Sequence, residues 1–276
     1  MASFVKAALA VTAVLATFVS PPTSSAAETL RINGTGAGLV VVKPLAEAFQ
    51  KENRGIVIEM EKSLGSSAAI KAVSRNALDL AISGRTLKPA ESAEGLVQQE
   101  WGKTPMAVLA NRGVRSKGVT LKELAAMYAG SSAKWPGGEL VRVVLRPNED
   151  TDTKLTRSMS PEMDRGVGAA QGRKDMLLGI TDNEAFESLK KTEGAVAVMA
   201  LSLALAEPNS VNVLKLDGVL PSVANAASGK YRFVKDMHLV MRKDAPAAVA
   251  KFVKFLNSKK GRSIAAKYGL VVPGTK

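Results

Sequence analysis

Three times in this chain a stretch patterned as a β-strand runs into a loop of glycine and hydroxyl residues, and then directly into a helical pattern. Residues 29–33 (TLRIN) lead into Gly34-Thr35-Gly36-Ala37-Gly38. A helical stretch follows over 39–51, with Val42, Leu45, Ala46 and Phe49 on one face. Residues 56–61 (IVIEME) lead through Leu64-Gly65-Ser66-Ser67 into a helix over 68–75. Residues 141–145 (VRVVL) lead through Arg146 and a polar loop containing Thr151-Asp152-Thr153 into a helix over 154–160. Further strands are expected at 78–83, 106–111, 195–199, 211–216, 231–234 and 239–241. Further helices are expected from 89, and at 120–128, 183–192, 247–256 and 261–267. Such alternation predicts an α/β protein with mixed, mostly parallel sheets flanked by helices.

The same pattern selects a chemistry. At a helix start the backbone N–H groups lack intrahelical partners, and the positive end of the helix dipole faces them, so the position favours an anion. Glycine lets the backbone approach closely, and the hydroxyls of Thr35, Ser66, Ser67, Thr151 and Thr153 add donors. Two arginines stand at comparable strand ends, Arg85 after LDLAIS and Arg146 after VRVVL. A guanidinium offers a planar fork of donors matched to two oxygens of one oxyanion. Each loop alone is explained by a capped helix, and each arginine by a surface ion pair. Their convergence points to an oxyanion site at the carboxyl ends of the strands.

Composition removes most competing functions. The chain has no cysteine and one histidine, which excludes a thiolate metal site or a cysteine nucleophile and leaves little for zinc chemistry or a Ser-His-Asp triad. No GxxxxGK[ST] loop or GxSxG elbow is present. Asn148, Asp150 and Asp152 alternate as calcium ligands do, but Thr153 stands where that loop needs glycine, and Met159 where it needs glutamate. The sequence thus offers little for a metal site or for an enzyme. The net charge of +13 comes from scattered basic residues with only 4% aromatics, which argues against nucleic acid as a partner. Residues 1–27 read as a cleavable signal peptide: Lys6, an apolar run over 7–19, Pro21-Pro22, and small residues Ser25, Ala26 and Ala27. Without cysteine there is no lipid anchor, so the expected destination is the periplasm.

Read together, these segments resemble the periplasmic phosphate-binding proteins of ABC-type phosphate importers, across nearly the whole mature chain. INGTGAG looks like the family's first anion loop, LGSS its second, and DLAISGRTLKPAE the segment ending in Ser-Arg or Ser-Asp. EGAVAVMALSLA, LKLDGVLPSVANAASGKYRF and the closing FVKFLNSKKGRSIAAKYGLVVP follow in the family's order. The resemblance implies a two-lobed, type II-like binding-protein fold, a ligand in the cleft, hinge closure, no catalysis, no metal and no cofactor, and a monomer that delivers its ligand to a membrane permease. The lobes are expected at 28–110 plus 232–276 and at 111–231. Carried over position by position, the ligand contacts are Thr35, Gly36, Ala37, Ser66, Ser67, Ser83, Arg85, Arg146, Thr151, Asp152 and Thr153. The ligand implied is inorganic phosphate. The alternatives are molybdate, tungstate or sulfate, or a phosphate sensor without transport. In two places the chain departs from the family: the first loop reads Gly36-Ala-Gly-Leu39 where a hydroxyl residue is common, and Glu149-Asp-Thr-Asp-Thr153 replaces a Gly-Ser-Gly-Thr loop. Carboxylates there repel a dianion unless they point outward, are neutralised by Arg85 or Arg146, or accept a ligand proton.

Overall fold

The computed structural model describes residues 27–174 and 176–274, so the expected signal peptide lies, but for Ala27, outside the described residues. The chain opens with β1 (Glu28–Gly34), α1 (Gly36–Glu52), β2 (Ile56–Met60), α2 (Gly65–Ser74), β3 (Leu80–Ser83), α3 (Pro89–Ala93) and β4 (Leu96–Asn111). It continues through β5 (Gly118–Val119), α4 (Leu121–Ala129), β6 (Arg142–Leu145), α5 (Thr151–Arg157), α6 (Pro161–Gln171), β7 (Leu177–Leu178) and α7 (Asp182–Lys191). It closes with β8 (Ala195–Ala200), α8 (Leu201–Ala206), β9 (Val211–Leu216), α9 (Val223–Ala227), β10 (Val234–Arg242), α10 (Ala247–Leu256) and α11 (Lys259–Lys267). Among the described residues no helix is long and apolar enough to cross a membrane.

The strands follow the order β2-β1-β3-β10-β4-β8-β6-β7, with β9 pairing β4 and β5. β1 runs parallel to β2 and β3, and β6 parallel to β7 and β8. The two halves are joined by β4, whose 16 residues serve both. Up to Pro105 it pairs antiparallel with β10; from Met106 it pairs antiparallel with β8 and β9. β3 (LAIS) and β8 (AVAVMA) are buried at every position, as continuous apolar strands covered on both faces must be. Lobe I gathers around β1, β2, β3 and β10, and lobe II around β6, β7, β8 and β9.

One apolar core runs beneath both lobes. In it Phe49 of α1 packs edge-on against Phe252 at 5.0 Å, in company with Phe186 and Leu189 of α7. A second core, built on Leu124, Trp135, Met163 and Val167, belongs to lobe II. α4 starts as expected, with Thr120 accepting from the Glu123 amide at 3.1 Å and Glu123 accepting from the Thr120 amide at 2.7 Å.

The structure differs from the expectation in several places, among them the short elements β5, β7, α8 and α9, which were not expected. The strand expected at 106–111 begins ten residues earlier, at Leu96, because pairing with β10 carries a stretch of polar residues that periodicity alone does not mark. The two short strands at 231–234 and 239–241 are the single β10, interrupted only by a register shift between Met237 and His238. Helix α6 was not expected, although Ser160 caps it and Pro161 sits in its first turn.

Candidate functional site

α1 points its N-terminus at the junction of the lobes, with Thr35 as its first flanking residue. Gly36 is required there: a Cβ on it would run into the side chain of Asn183 and the Cβ of Asp182. On the facing side, Thr181 and Glu184 cap α7 reciprocally and fix Asp182 in its first turn. The Asp182 carboxylate enters the start of α1. Its Oδ2 accepts from the Thr35 hydroxyl and, at 3.0 Å, from the Ala37 amide. Its Oδ1 lies 3.5 Å from Nη2 of Arg146. The carbonyl of Ala37 accepts from the Ser202 hydroxyl at 2.8 Å, so lobe II grips this residue from both sides.

Arg146 leaves the end of β6 and is fixed at every turn. Nη1 donates to the Gly179 carbonyl at 2.8 Å, and Nη2 donates to Asp150 at 2.7 Å. Its own carbonyl accepts from the Thr153 hydroxyl at 3.2 Å and from Gln171 at 2.8 Å. Asp150 has a second task, accepting from the Asp152 amide at 2.9 Å as the cap of α5. That cap turns Asp152 inward, where Oδ1 stands 2.5 Å from the ammonium of Lys235 on β10. Lys235 also donates to Thr35 at 3.4 Å. Gly84 leaves room for the lysine stem, which a Cβ at that position would meet.

This is a buried network of two cations, Arg146 and Lys235, and three carboxylates, Asp150, Asp152 and Asp182. Asp152, Asp182 and Lys235 are 1%, 2% and 2% exposed, so their charges answer to one another and not to water. Burial pushes Asp182 up, but Lys235, Arg146, the Thr35 hydroxyl and the Ala37 amide outweigh it and hold the carboxyl at about 2. Burial pushes Asp152 up to about 7 against the pull of Lys235, with Asp182 and Asp150 adding to the rise. Burial also works against the Lys235 ammonium, but Asp152 and Asp182 more than offset it and raise its pKa. With Asp152 protonated the five groups are neutral as a set, which is why that carboxyl retains its proton most readily. Arg146 Nε has no hydrogen-bond partner, and neither does Asp152 Oδ2. The cavity touching both residues measures about 10 Å³, the room of a single water.

Of the residues singled out from the sequence, the structure brings together Thr35, Gly36, Ala37, Arg146, Asp152 and Thr153. Thr151, Asp152 and Thr153 form the first turn of α5, and Ser66 and Ser67 lie in the first turn of α2. Ser66 accepts from the Gly84 amide at 2.9 Å, which places α2 beside the strand end that Lys235 covers. Arg85 turns away: it forks onto Glu91 at 2.8 and 2.7 Å and donates to Ser67 at 3.1 Å. Ser83, fully buried, donates to the Arg85 carbonyl at 2.7 Å. Asp182, Lys235 and the capping role of Asp150 were not foreseen. Among the described residues no group of carboxylates or histidines is placed to hold a metal ion.

Two α/β lobes sharing the long strand β4, with a charged cluster between them, define a two-lobed solute-binding architecture. The chain belongs to the PBP superfamily, whose domain model matches residues 19–260. The phosphate-binding protein PstS of Bacillus subtilis is 25% identical over 237 residues, covering 84% of this chain and 76% of that relative. PstS 2 of Streptococcus pneumoniae is 30% identical over 106 residues, 38% of this chain and 36% of that relative. Among solved structures, a substrate-binding protein assigned to phosphate ABC transport in Clostridium perfringens superposes with a TM-score of 0.75 at 22% identity. The match covers 89% of this chain and 99% of that one. A phosphate-binding protein from Stenotrophomonas maltophilia gives a TM-score of 0.66 at 14% identity, over 89% and 91% of the two chains. These structures share the fold.

Proposed function

We propose that the chain is a periplasmic solute-binding protein that captures inorganic phosphate between its lobes and delivers it to the membrane permease of an ABC importer. One observation carries this reading: a hydroxyl, a backbone amide and a guanidinium from both lobes converge on a single oxyanion group. Thr35, Ala37 and Arg146 are all directed at the carboxylate of Asp182. Donors arranged to take two oxygens of a carboxylate are arranged to take two oxygens of phosphate. The names of the curated relatives favour phosphate among the oxyanions.

On this reading Gly36, Ser66, Ser67, Ser83, Thr151, Asp152 and Thr153 make up the rest of the wall, while Arg85, held by Glu91, stands behind Ser67 and does not touch the ligand. The change of partners along β4 at Pro105/Met106 and the start of β10 at Val234 support lobe boundaries near 110 and 231 on this reading. The protein acts as a monomer, and capture and release leave the ligand chemically unchanged. The test is calorimetric titration with phosphate, sulfate, molybdate and tungstate after co-purified anions have been stripped by unfolding and refolding. Saturable one-to-one phosphate binding that Arg146→Ala abolishes is expected. Preference for another of these anions would keep the receptor and change its ligand, and silence towards all four would refute the anion reading.

A further inference from the structure

The seat just described is taken by the protein itself. Asp182 belongs to lobe II, and it reaches across 147 positions of sequence to Thr35 and 145 to Ala37 in lobe I. It uses the Thr35 hydroxyl, the Ala37 amide and one edge of Arg146 at once, and its side chain is buried. It also sits at the positive end of a helix of 17 residues. An external oxyanion needs those same donors, and both cannot hold them together. Next to Asp182, Asn183 lies against Gly36, closing the approach to the loop backbone. Just outside, the lobes diverge into a groove of about 630 Å³, lined in part by Leu39, Lys43, Thr181 and Asn183. That groove gives the start of α7 somewhere to move.

We infer that Asp182 is a resident anion that latches the lobes together, and that phosphate binds by exchanging with it, so that Asp182 sets the affinity. The inference rests on the phosphate reading above. Protonation does not release the latch at ordinary pH, because the neighbouring cations hold the Asp182 carboxyl at about 2. Release therefore requires the start of α7 to withdraw from α1, and the incoming anion takes over the donors that Asp182 gives up. The free protein is closed, and only the fraction with Asp182 withdrawn is competent to bind. The apparent dissociation constant is raised by the reciprocal of that fraction.

The experiment compares the full chain with Asp182→Ala and the near-isosteric Asp182→Asn. It uses calorimetry with inorganic phosphate and small-angle scattering with and without it. The expected result is phosphate binding at least about tenfold tighter in Asp182→Ala than in the native chain, with Asp182→Asn between them. The native chain should scatter as a compact particle throughout, and Asp182→Ala should be more expanded until phosphate is added. If Asp182→Ala does not fold, the affinity of Asp182→Asn decides. Equal, measurable affinity in native and variant proteins would overturn the latch and leave the phosphate reading standing. Weaker binding in either variant would also overturn it, making Asp182 a ligand contact. No phosphate binding by any form would sink the exchange mechanism together with the phosphate reading.

Discussion

Replacing Lys235 with methionine removes one cation from the buried network and leaves Asp150, Asp152 and Asp182 facing Arg146 alone. Lys235 and Asp152 are 2% and 1% exposed and 2.5 Å apart. Removing one member of such a pair leaves an uncompensated buried charge, which costs about 3–5 kcal/mol. For a domain of this size each kcal/mol lowers Tm by about 2–4 °C, so a loss of about 6–20 °C is expected at pH 8. The cost depends on pH with a definite sign. In the native fold Asp152 is raised to about 7 from an ordinary value of 3.8, so the folded state binds its proton more firmly than the unfolded chain. Stability therefore falls as pH rises from about 4 to about 7, and levels off above. Without Lys235 the Asp152 carboxyl rises further, and the fall continues to higher pH. Lys235→Met should thus cost distinctly less at pH 5, where Asp152 is protonated in both proteins, than at pH 8. Combining it with Asp152→Leu, which removes the stranded carboxylate, should recover most of the loss. Urea denaturation followed by circular dichroism at the two pH values compares both variants with the native chain. A cost below about 1 kcal/mol at pH 8, or the same cost at both pH values, would refute this account of the network.

Arg85→Ala should change phosphate affinity by less than about threefold, since its guanidinium is committed to Glu91 and Ser67; calorimetry beside Arg146→Ala checks this. Phe49→Ala should cost about 3–5 kcal/mol in urea denaturation, because it opens a cavity against Phe252 and Phe255 where α1 packs on α10. Trp135→Phe should cost about 1–3 kcal/mol by the same assay, because the indole N–H that donates to the buried Gly194 carbonyl at 2.9 Å is lost.

The α/β class and the donor loops were legible because each is a local pattern. Apolar alternation running into Gly34-Thr35-Gly36 marks a strand end and a helix start within ten residues. The polar half of β4 was not legible, since residues 96–105 are held by pairing with a strand more than a hundred positions away. Arg146 was readable as a cation at a strand end, but its partners were not: Asp182 reads locally as an ordinary acidic residue in a helix's first turn, between the capping pair Thr181 and Glu184. Lys235 sits in an alternating strand where a lysine normally faces water. The one available signal lay in the loop after Arg146, where Asp152 puts a carboxylate into a segment that glycine and hydroxyl residues fill in the family the chain resembles. A surplus carboxylate there called for an additional buried cation, and the structure supplies it from β10.

The network also bears on how the chain acquires its structure. Its members lie at positions 35, 146, 150, 152, 182 and 235, and the hydrogen bond from Lys235 to Thr35 closes a separation of 200 residues. Contacts of such high order form late, after the entropy of closing the intervening chain has been spent. Without those closures the charges stand unmatched and remain hydrated. Completion of the cluster thus makes the two lobes one cooperative unit, because its charges are matched only when segments from both ends of the chain are in place.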